Sequence, residues 1–249
     1  MEDHESADIS VTVTAVESDQ SPSMNIEIID SNGHAVATLS GKTSNPVTIT
    51  LKSPKLWWPN GQGDQHLYST KVSLLDAESK VLDQSTTRFG IRTIEVIQRP
   101  LKEAPGTTFM FRVNGRDIFA QGGDWIPADM LLPTISRERY FEWIRLARHC
   151  HLNMIRVWGG GIYETEDFFD ACDEMGMLVW HDYAFACGDY PIHGAFIDTI
   201  TKEAEAQTTR LRNRASLALL CGGNEDFMLA DWNQYVIPPP NHKNSYSHL

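Results

Sequence analysis

Apolar and polar residues alternate along the first third of the chain with a period of two. Ile9, Val11, Val13 and Ala15 fall on one side of Ile9–Val16, with polar residues between them. Met24–Ile29, His34–Leu39, Pro46–Leu51, Leu67–Leu75 and Val81–Arg88 continue the pattern. Asn32-Gly33 between two such runs is a hairpin signal, because a tight primed turn needs residues that accept a positive φ. No window before residue 99 carries a helical stripe with caps, so residues 8–98 are expected to form an immunoglobulin-like β-sandwich. Residues 1–7 are expected to be disordered.

The period changes after Pro100–Pro105. Phe109–Val113 and Arg116–Phe119 flank Asn114-Gly115, a second hairpin signature. From there strands and helices alternate. Strands are expected at Asp117–Gly122, Asn153–Trp158, Met177–Trp180 and Ser216–Cys221, the last apolar almost throughout, as a sheet buried on both faces requires. Tyr140, Phe141, Ile144 and Ala147 define a helix over Arg137–Cys150, with Ser136 as its N-cap. Thr165 opens a second helix that buries Phe168, Phe169, Cys172 and Met175 and stops at Gly176. Ile197, Ile200, Ala204 and Leu211 mark a third. The pattern predicts the first half of a (β/α)8 TIM barrel over 99–236. A short helix is expected over Asp231–Val236. Pro238-Pro239-Pro240 then ends regular structure, and 237–249 are expected to be a disordered tail.

Barrel chemistry sits at the carboxyl ends of the strands. Those ends supply Asp124 and Trp125, then Arg156 and Trp158, then Trp180, His181 and Asp182, and last Asn224 and Glu225. Aromatic faces beside carboxylates, an arginine and an amide suit a sugar: rings stack on its apolar face and polar groups bond its hydroxyls. Glu225 directly follows an apolar strand. It is either a general acid held neutral by burial or a structural carboxylate paired with Arg156. Asp182 is either a ligand contact or a strand-end cap. Leu56-Trp57-Trp58-Pro59 is either a structural loop or a sugar-stacking surface, since neighbouring rings on a strand face opposite ways.

Other chemistries lack their motifs. Gly159-Gly160-Gly161 has neither dinucleotide nor Walker spacing and is expected to be a tight turn. His181 and His193 have no third ligand at useful spacing, so neither metal nor cofactor is expected. The net charge is −12, with 14 acidic against 9 basic residues up to Gly106 and 19 against 12 beyond it. Neither half offers a basic surface for nucleic acid. No secretory signal or membrane span is evident, and Cys150, Cys172, Cys187 and Cys221 lack paired spacing. Free thiols in the cytoplasm are expected. Nothing in the sequence sets an oligomeric state.

The run NMIRVWGGGIYE (Asn153–Glu164) is the most specific motif. With Trp125-Ile126-Pro127-Ala128-Asp129, FDACDEMGMLVW (Phe169–Trp180) and SLALLCGGNE (Ser216–Glu225), it resembles the barrel start of glycoside hydrolase family 2 β-mannosidases. LWWPNGQG and RFGIRTIE resemble the family's preceding immunoglobulin-like domain. The Gly122-Gly123-Asp124-Trp125 and Cys187–Pro191 segments are most similar to its fungal, intracellular B-type branch. The resemblance implies retaining removal of terminal non-reducing β-D-mannose from oligosaccharides, without a cofactor. It makes Glu225 the acid/base and Asn224 the residue contacting the sugar 2-hydroxyl, with Arg156, Trp158, Trp125 and Asp182 lining the site.

The sequence departs from the family pattern in three places. Gly223 stands where the family has asparagine and Leu220 where it has tryptophan, and His181-Asp182-Tyr183 replaces Gln-Asp-Phe. The family's N-terminal sugar-binding domain, its later strands and its nucleophile are not found, so the 249 residues alone are expected to be inactive and poorly soluble. A noncatalytic carbohydrate-binding fragment and a family 2 enzyme for β-galactosides or β-glucuronides are the alternatives.

Overall fold

The computed structural model describes residues 5–14, 23–41, 46–188 and 190–226. Their contacts divide the chain into two units. One runs to Phe119 and includes residues 213–215; the other begins at Ala120.

The first unit is antiparallel throughout. Its strands are β1 (Ser6–Val11), β2 (Ser23–Ile29), β3 (Ala35–Gly41), β4 (Val47–Lys52), β5 (Leu67–Leu75), β6 (Val81–Gly90), β7 (Ile94–Ile97), β8 (Met110–Val113) and β9 (Arg116–Ile118). β1 pairs with β4, and β3-β2-β5-β6 form a second sheet. Their inward residues make one apolar core of Ile26, Ile28, Ile49, Leu51 and Tyr68, with Ile9, Val11, Val72 and Phe89 packed against it. The expected alternation therefore produces the expected two-sheet core. β1 begins at Ser6, ahead of the residue 8 boundary.

Turn chemistry explains the hairpins. Asp30 Oδ1 accepts from the amides of Asn32 and His34, both at 2.9 Å, and Gly33 takes a φ of 84°. Asp76 holds the β5–β6 turn in the same way, accepting from Glu78 N at 3.0 Å and Lys80 N at 2.8 Å. An Asx side chain that mimics a backbone turn sets the register of the strands it joins.

The paired tryptophans serve the interior of this unit. Trp57 is fully buried; its amide donates to Ile91 O and its carbonyl accepts Asn114 Nδ2 at 3.0 Å. Trp58 carries the Arg116 guanidinium 4.5 Å over its ring. A Cβ on Gly63 would come within 2.8 Å of Trp58, so only glycine fits beneath that ring. The motif ties the β8–β9 hairpin to the sandwich strands.

The hairpin also corrects one expected strand. Arg116–Ile118 folds back on β8 through the Asn114-Gly115 turn, with Arg112 Nε 2.6 Å from Asp117 Oδ1. β7-β8-β9 thus make a three-stranded antiparallel sheet. The run Asp117–Gly122 is not one strand: its start closes the hairpin and its end opens the next unit. That is why the boundary lies at 119/120 rather than at 98/99.

The second unit alternates β10 (Gly122–Trp125), α1 (Arg137–His149), β11 (Met154–Val157), α2 (Glu166–Met175), β12 (Leu178–Asp182), α3 (Gly194–Leu211) and β13 (Leu217–Cys221). The strands are parallel in the order β10-β11-β12-β13. Ser136 caps α1, accepting from Arg139 N. Gly176 ends α2 in the left-handed region at φ 74°. His193 caps α3, its ring nitrogen accepting from Phe196 N at 3.2 Å. That capping role gives His193 a structural use. The helices bury Tyr140, Ile144, Phe168, Phe169 and Cys172 against Ile155, Val157 and Val179. Each large side chain removed from water there contributes about 1.5–3 kcal/mol. The helix, proline run and tail expected after residue 230 lie outside the described residues.

Candidate functional site

Strand alternation sorts the predicted site residues onto two faces. In register, Asp124 lies beside Arg156 and Arg156 beside Trp180. Asp182, two residues beyond Trp180, shares that face. Trp125, Val157 and His181 point the other way, toward the helices.

Arg156 is the hub of the first face. Its Nη2 donates to Asp182 Oδ2 at 2.7 Å and to Asn224 Oδ1 at 2.9 Å. Its Nε reaches Asp182 Oδ1 at 3.3 Å, and Nη1 reaches Asp124 Oδ1 at 3.4 Å. Two guanidinium nitrogens on one carboxylate fix its plane as well as its charge. Asp182 also accepts from Trp180 Nε1 at 3.0 Å and Gly159 N at 3.2 Å. Four donors therefore occupy the two oxygens of a carboxylate that is 1% exposed. Asp182 organises the face rather than presenting itself to a ligand.

Gly159-Gly160-Gly161 is a turn, as its spacing suggests. A Cβ on Gly159 would lie 2.3 Å from Phe185 O, and one on Gly160 would lie 2.0 Å from the Trp158 ring. Glycine here lets two loops meet and lets the half-buried Trp158 ring lie back over its own turn.

Beyond β13 the chain makes one more parallel bridge, Ala186 to Asn224. Asn224 N donates to Phe185 O at 2.9 Å, and Cys187 N donates to Asn224 O at 3.0 Å. Asn224 is 6% exposed and its amide Nδ2 lies 3.3 Å from Cys187 Sγ. Glu225 is exposed, with Oε2 3.7 Å from the same sulfur. Its backbone is left-handed, φ 60°, as is that of Cys187, φ 52°. The expected burial of Glu225 is thus not met among the described residues: the bridge ends at Asn224, and the reversed φ turns the next side chain outward. The alternative, a pairing with Arg156, is not found among the described residues either; that arginine holds Asp182, Asp124 and Asn224.

Asp226 turns inward instead. Burial raises its pKa above the usual carboxylate value. A Cβ on Gly223 would come within 2.3 Å of Asp226 Oδ2 and 2.9 Å of Phe185 Cβ. The glycine at 223 therefore leaves the space this carboxylate occupies.

The helix-side face holds what the first face excludes. Trp125 packs on Tyr140, Trp143 and Phe168, and its Nε1 donates to Glu164 Oε1 at 2.9 Å. Tyr140 OH donates to Glu164 Oε2 at 2.7 Å, and burial followed by this contact raises the phenol to about 12. Trp125 is therefore not brought together with Arg156 and Asn224. His181 is sandwiched between Tyr163 and Phe169, ring centroids 5.5 and 6.1 Å away. Its Nδ1 lies 2.5 Å from Asp182 O, Nε2 is buried with no partner among the described residues, and burial lowers its pKa.

Two participants were not singled out for this site from the sequence. In the sequence Cys187 is only a thiol without a paired cysteine, in a Cys-Gly-Asp-Tyr-Pro segment. Its place beside Asn224 depends on a long-range bridge that no local pattern reports. Glu164 sat in plain view at the end of NMIRVWGGGIYE, but its spacing does not reveal the face it serves.

The face presents an amide, an arginine, exposed carboxylates at 124 and 225, and the half-buried Trp158 and Trp180 rings. Such a set can accept and donate to hydroxyls while a ring covers carbon. The model of glycosyl hydrolases family 2 matches residues 1–92. Beta-mannosidase B of Emericella nidulans is 50% identical over 199 residues, covering 80% of this chain and 23% of that protein. The crystal structure of a β-D-mannosidase from Dictyoglomus thermophilum superposes with a TM-score of 0.77 at 36% identity, covering 89% of this chain and 27% of that one. A Bacteroides uniformis β-glucuronidase shares the fold at TM-score 0.72 and 21% identity, covering 90% of this chain and 26% of that one. The chain thus spans about a quarter of the length of the proteins it matches.

Proposed function

Since the chain belongs to glycosyl hydrolase family 2, we propose that it supplies the acid/base half of a retaining β-mannosidase site. The first unit is its immunoglobulin-like sandwich. The four parallel strands of the second are the opening half of a (β/α)8 barrel. Glu225 protonates the departing glycosidic oxygen and then deprotonates water. Asn224 Nδ2 bonds the sugar 2-hydroxyl, while Arg156 fixes the orientation of that amide. Trp158 and Trp180 offer rings to the sugar's carbon face.

The observation that carries this reading is the Asn224–Glu225 pair at the end of the fourth parallel strand, with Asn224 Oδ1 held 2.9 Å from Arg156 Nη2. Occupying the amide oxygen leaves Nδ2 as the group that can donate. An exposed Glu225 is where a leaving group would arrive. Retention also needs a nucleophilic carboxylate about 5–5.5 Å across the sugar from the acid. Asp226 is turned inward beside Gly223 and is next to Glu225 in the chain, so it does not face it across a sugar. On this reading the partner carboxylate is not Asp226 but one beyond the described residues. The mannose preference rests on the relatives, whose names specify β-mannosidase.

The test compares methyl β-D-mannoside, β-D-galactoside and β-D-glucuronide by saturation-transfer NMR on the purified chain. Each is then supplied as its nitrophenyl glycoside. Mannoside binding that is lost in Asn224→Ala, with no nitrophenol released, is the expected result. Preference for glucuronide, or equal binding by Asn224→Ala, rejects the reading. Turnover by the isolated chain that vanishes in Glu225→Gln would keep the acid and place the nucleophile within the chain.

A further inference from the structure

We infer that Cys187 is a positioning residue, and that its thiol couples the orientation of Asn224 to that of Glu225. The inference rests on the reading of those two residues as the sugar-contacting amide and the acid/base.

The geometry is that of a two-way link. Asn224 Nδ2 donates to Cys187 Sγ at 3.3 Å, and the same sulfur lies 3.7 Å from Glu225 Oε2. A thiol both accepts weakly through sulfur and donates weakly through its one hydrogen. Accepting from the amide leaves S–H as the group that faces the carboxylate. The backbone fixes the sulfur in place. Cys187 N donates to Asn224 O, and the Ala186–Asn224 bridge sets the register one residue earlier. Both Cys187 and Glu225 hold left-handed backbones, an arrangement that bulky L residues take only when surrounding contacts impose it. Strain in two facing residues joined through one sulfur points to orientation as the thing being maintained.

The link has a mechanical consequence. The Asn224 amide has two ends. Arg156 holds its oxygen and Cys187 holds its nitrogen, so the amide plane cannot flip. The weak contact at nitrogen is the one a hydroxyl can displace. A sugar 2-hydroxyl that takes the Nδ2 hydrogen of that contact, rather than the second one Nδ2 carries, releases the sulfur from the amide and leaves its S–H to Glu225 alone. Occupancy of the sugar site is thereby reported to the acid/base through one atom.

Raman spectroscopy of the 249-residue chain reads this directly, because S–H stretching bands fall where no other protein group absorbs. The wild-type spectrum minus that of Cys187→Ser isolates the Cys187 band from the other three thiols. The expected band is displaced from that of a free thiol and moves toward it in Glu225→Ala. An identical band in wild type and Glu225→Ala overturns the proposal. Should Cys187→Ser not fold, carboxyl-13C NMR of glutamate-labelled wild type, Asn224→Ala and Cys187→Ala gives the same answer. The Glu225 signal shifts in both variants if the sulfur couples the pair, and unchanged signals reject it. The mannoside titration described above decides the catalytic reading separately: no mannoside binding by the wild type overturns that reading, while the Raman result stands alone.

Discussion

The two faces of the parallel sheet are made from alternate residues of the same strands, and each buries a carboxylate. Asp182 on one face and Glu164 against the other are each about 1% exposed, and each is fully engaged. Asp182 is held by an arginine, an indole and a backbone amide. Glu164 is held by an indole and a phenol. The difference lies in the charge of the partners. On the helix side the donors are neutral and belong to the packed core. On the site side the donor is a guanidinium that is itself 26% exposed and reaches on to Asn224. A buried carboxylate is therefore no marker of function here; what matters is whether its partner continues outward.

The largest effect expected from this contrast belongs to Asp182→Ala. It strips the Arg156 charge of its bidentate partner, and breaking such a pair costs about 3–5 kcal/mol. Urea unfolding of the chain should show that loss, and mannoside binding should fall with it because Asn224 is released. Retained binding would mean that Arg156 does not orient the amide. Glu164→Leu comes next. It leaves the Trp125 and Tyr140 donors unpaired in the core, for about 1–3 kcal/mol, while sugar recognition in the folded protein stays as it was. Binding lost in a folded Glu164→Leu protein would show that the faces are not separable.

The smallest effect is a pH dependence. Burial lowers the His181 pKa from 6.5 in the unfolded chain, so the native ring refuses a proton that the unfolded one takes. Stability then declines as pH falls below 6.5, by at most about 1.4 kcal/mol per unit, and levels off beneath the folded pKa. Tyr163 and Phe169 stack on that ring, and burial with the Arg210 charge outweighs the opposing backbone hydrogen bond and charge of Asp182. Asp226 pulls the other way at lower pH, since its raised pKa favours the native state as it protonates. Chemical denaturation of wild type and His181→Phe between pH 7.5 and 5.5 checks the sign: the slope should vanish in the variant.

Much of this architecture was legible in the chain. The 3.6-residue stripe from Tyr140 to Ala147 and the Ser136 cap locate α1 to within a residue, because capping and periodicity are local signals. Gly176 is the left-handed stop of α2 for the same reason. The strand at 117–122 misled because Asp117–Gly122 carries no internal turn signal and looks continuous until the hairpin partner is known. At the site, Arg156, Asp182 and Asn224 meet as their strand-end positions suggested. Trp125 does not, because a strand end exposes two faces and one residue's shift in register exchanges them. Glu225 was expected to be buried on the strength of the apolar strand before it. Its exposure depends on a φ of 60°, which no hydrophobic pattern encodes.

That dihedral places position 225 under two opposed selective forces. A left-handed backbone costs an L side chain roughly 1–2 kcal/mol, and glycine nothing. For folding alone, then, the favoured change at this position is to glycine, which would relieve the left-handed strain and, on the proposed reading, remove the acid. On the proposed reading, the glutamate there serves its chemistry against the interests of the fold. Stabilising libraries screened only for melting temperature would be expected to discard it first.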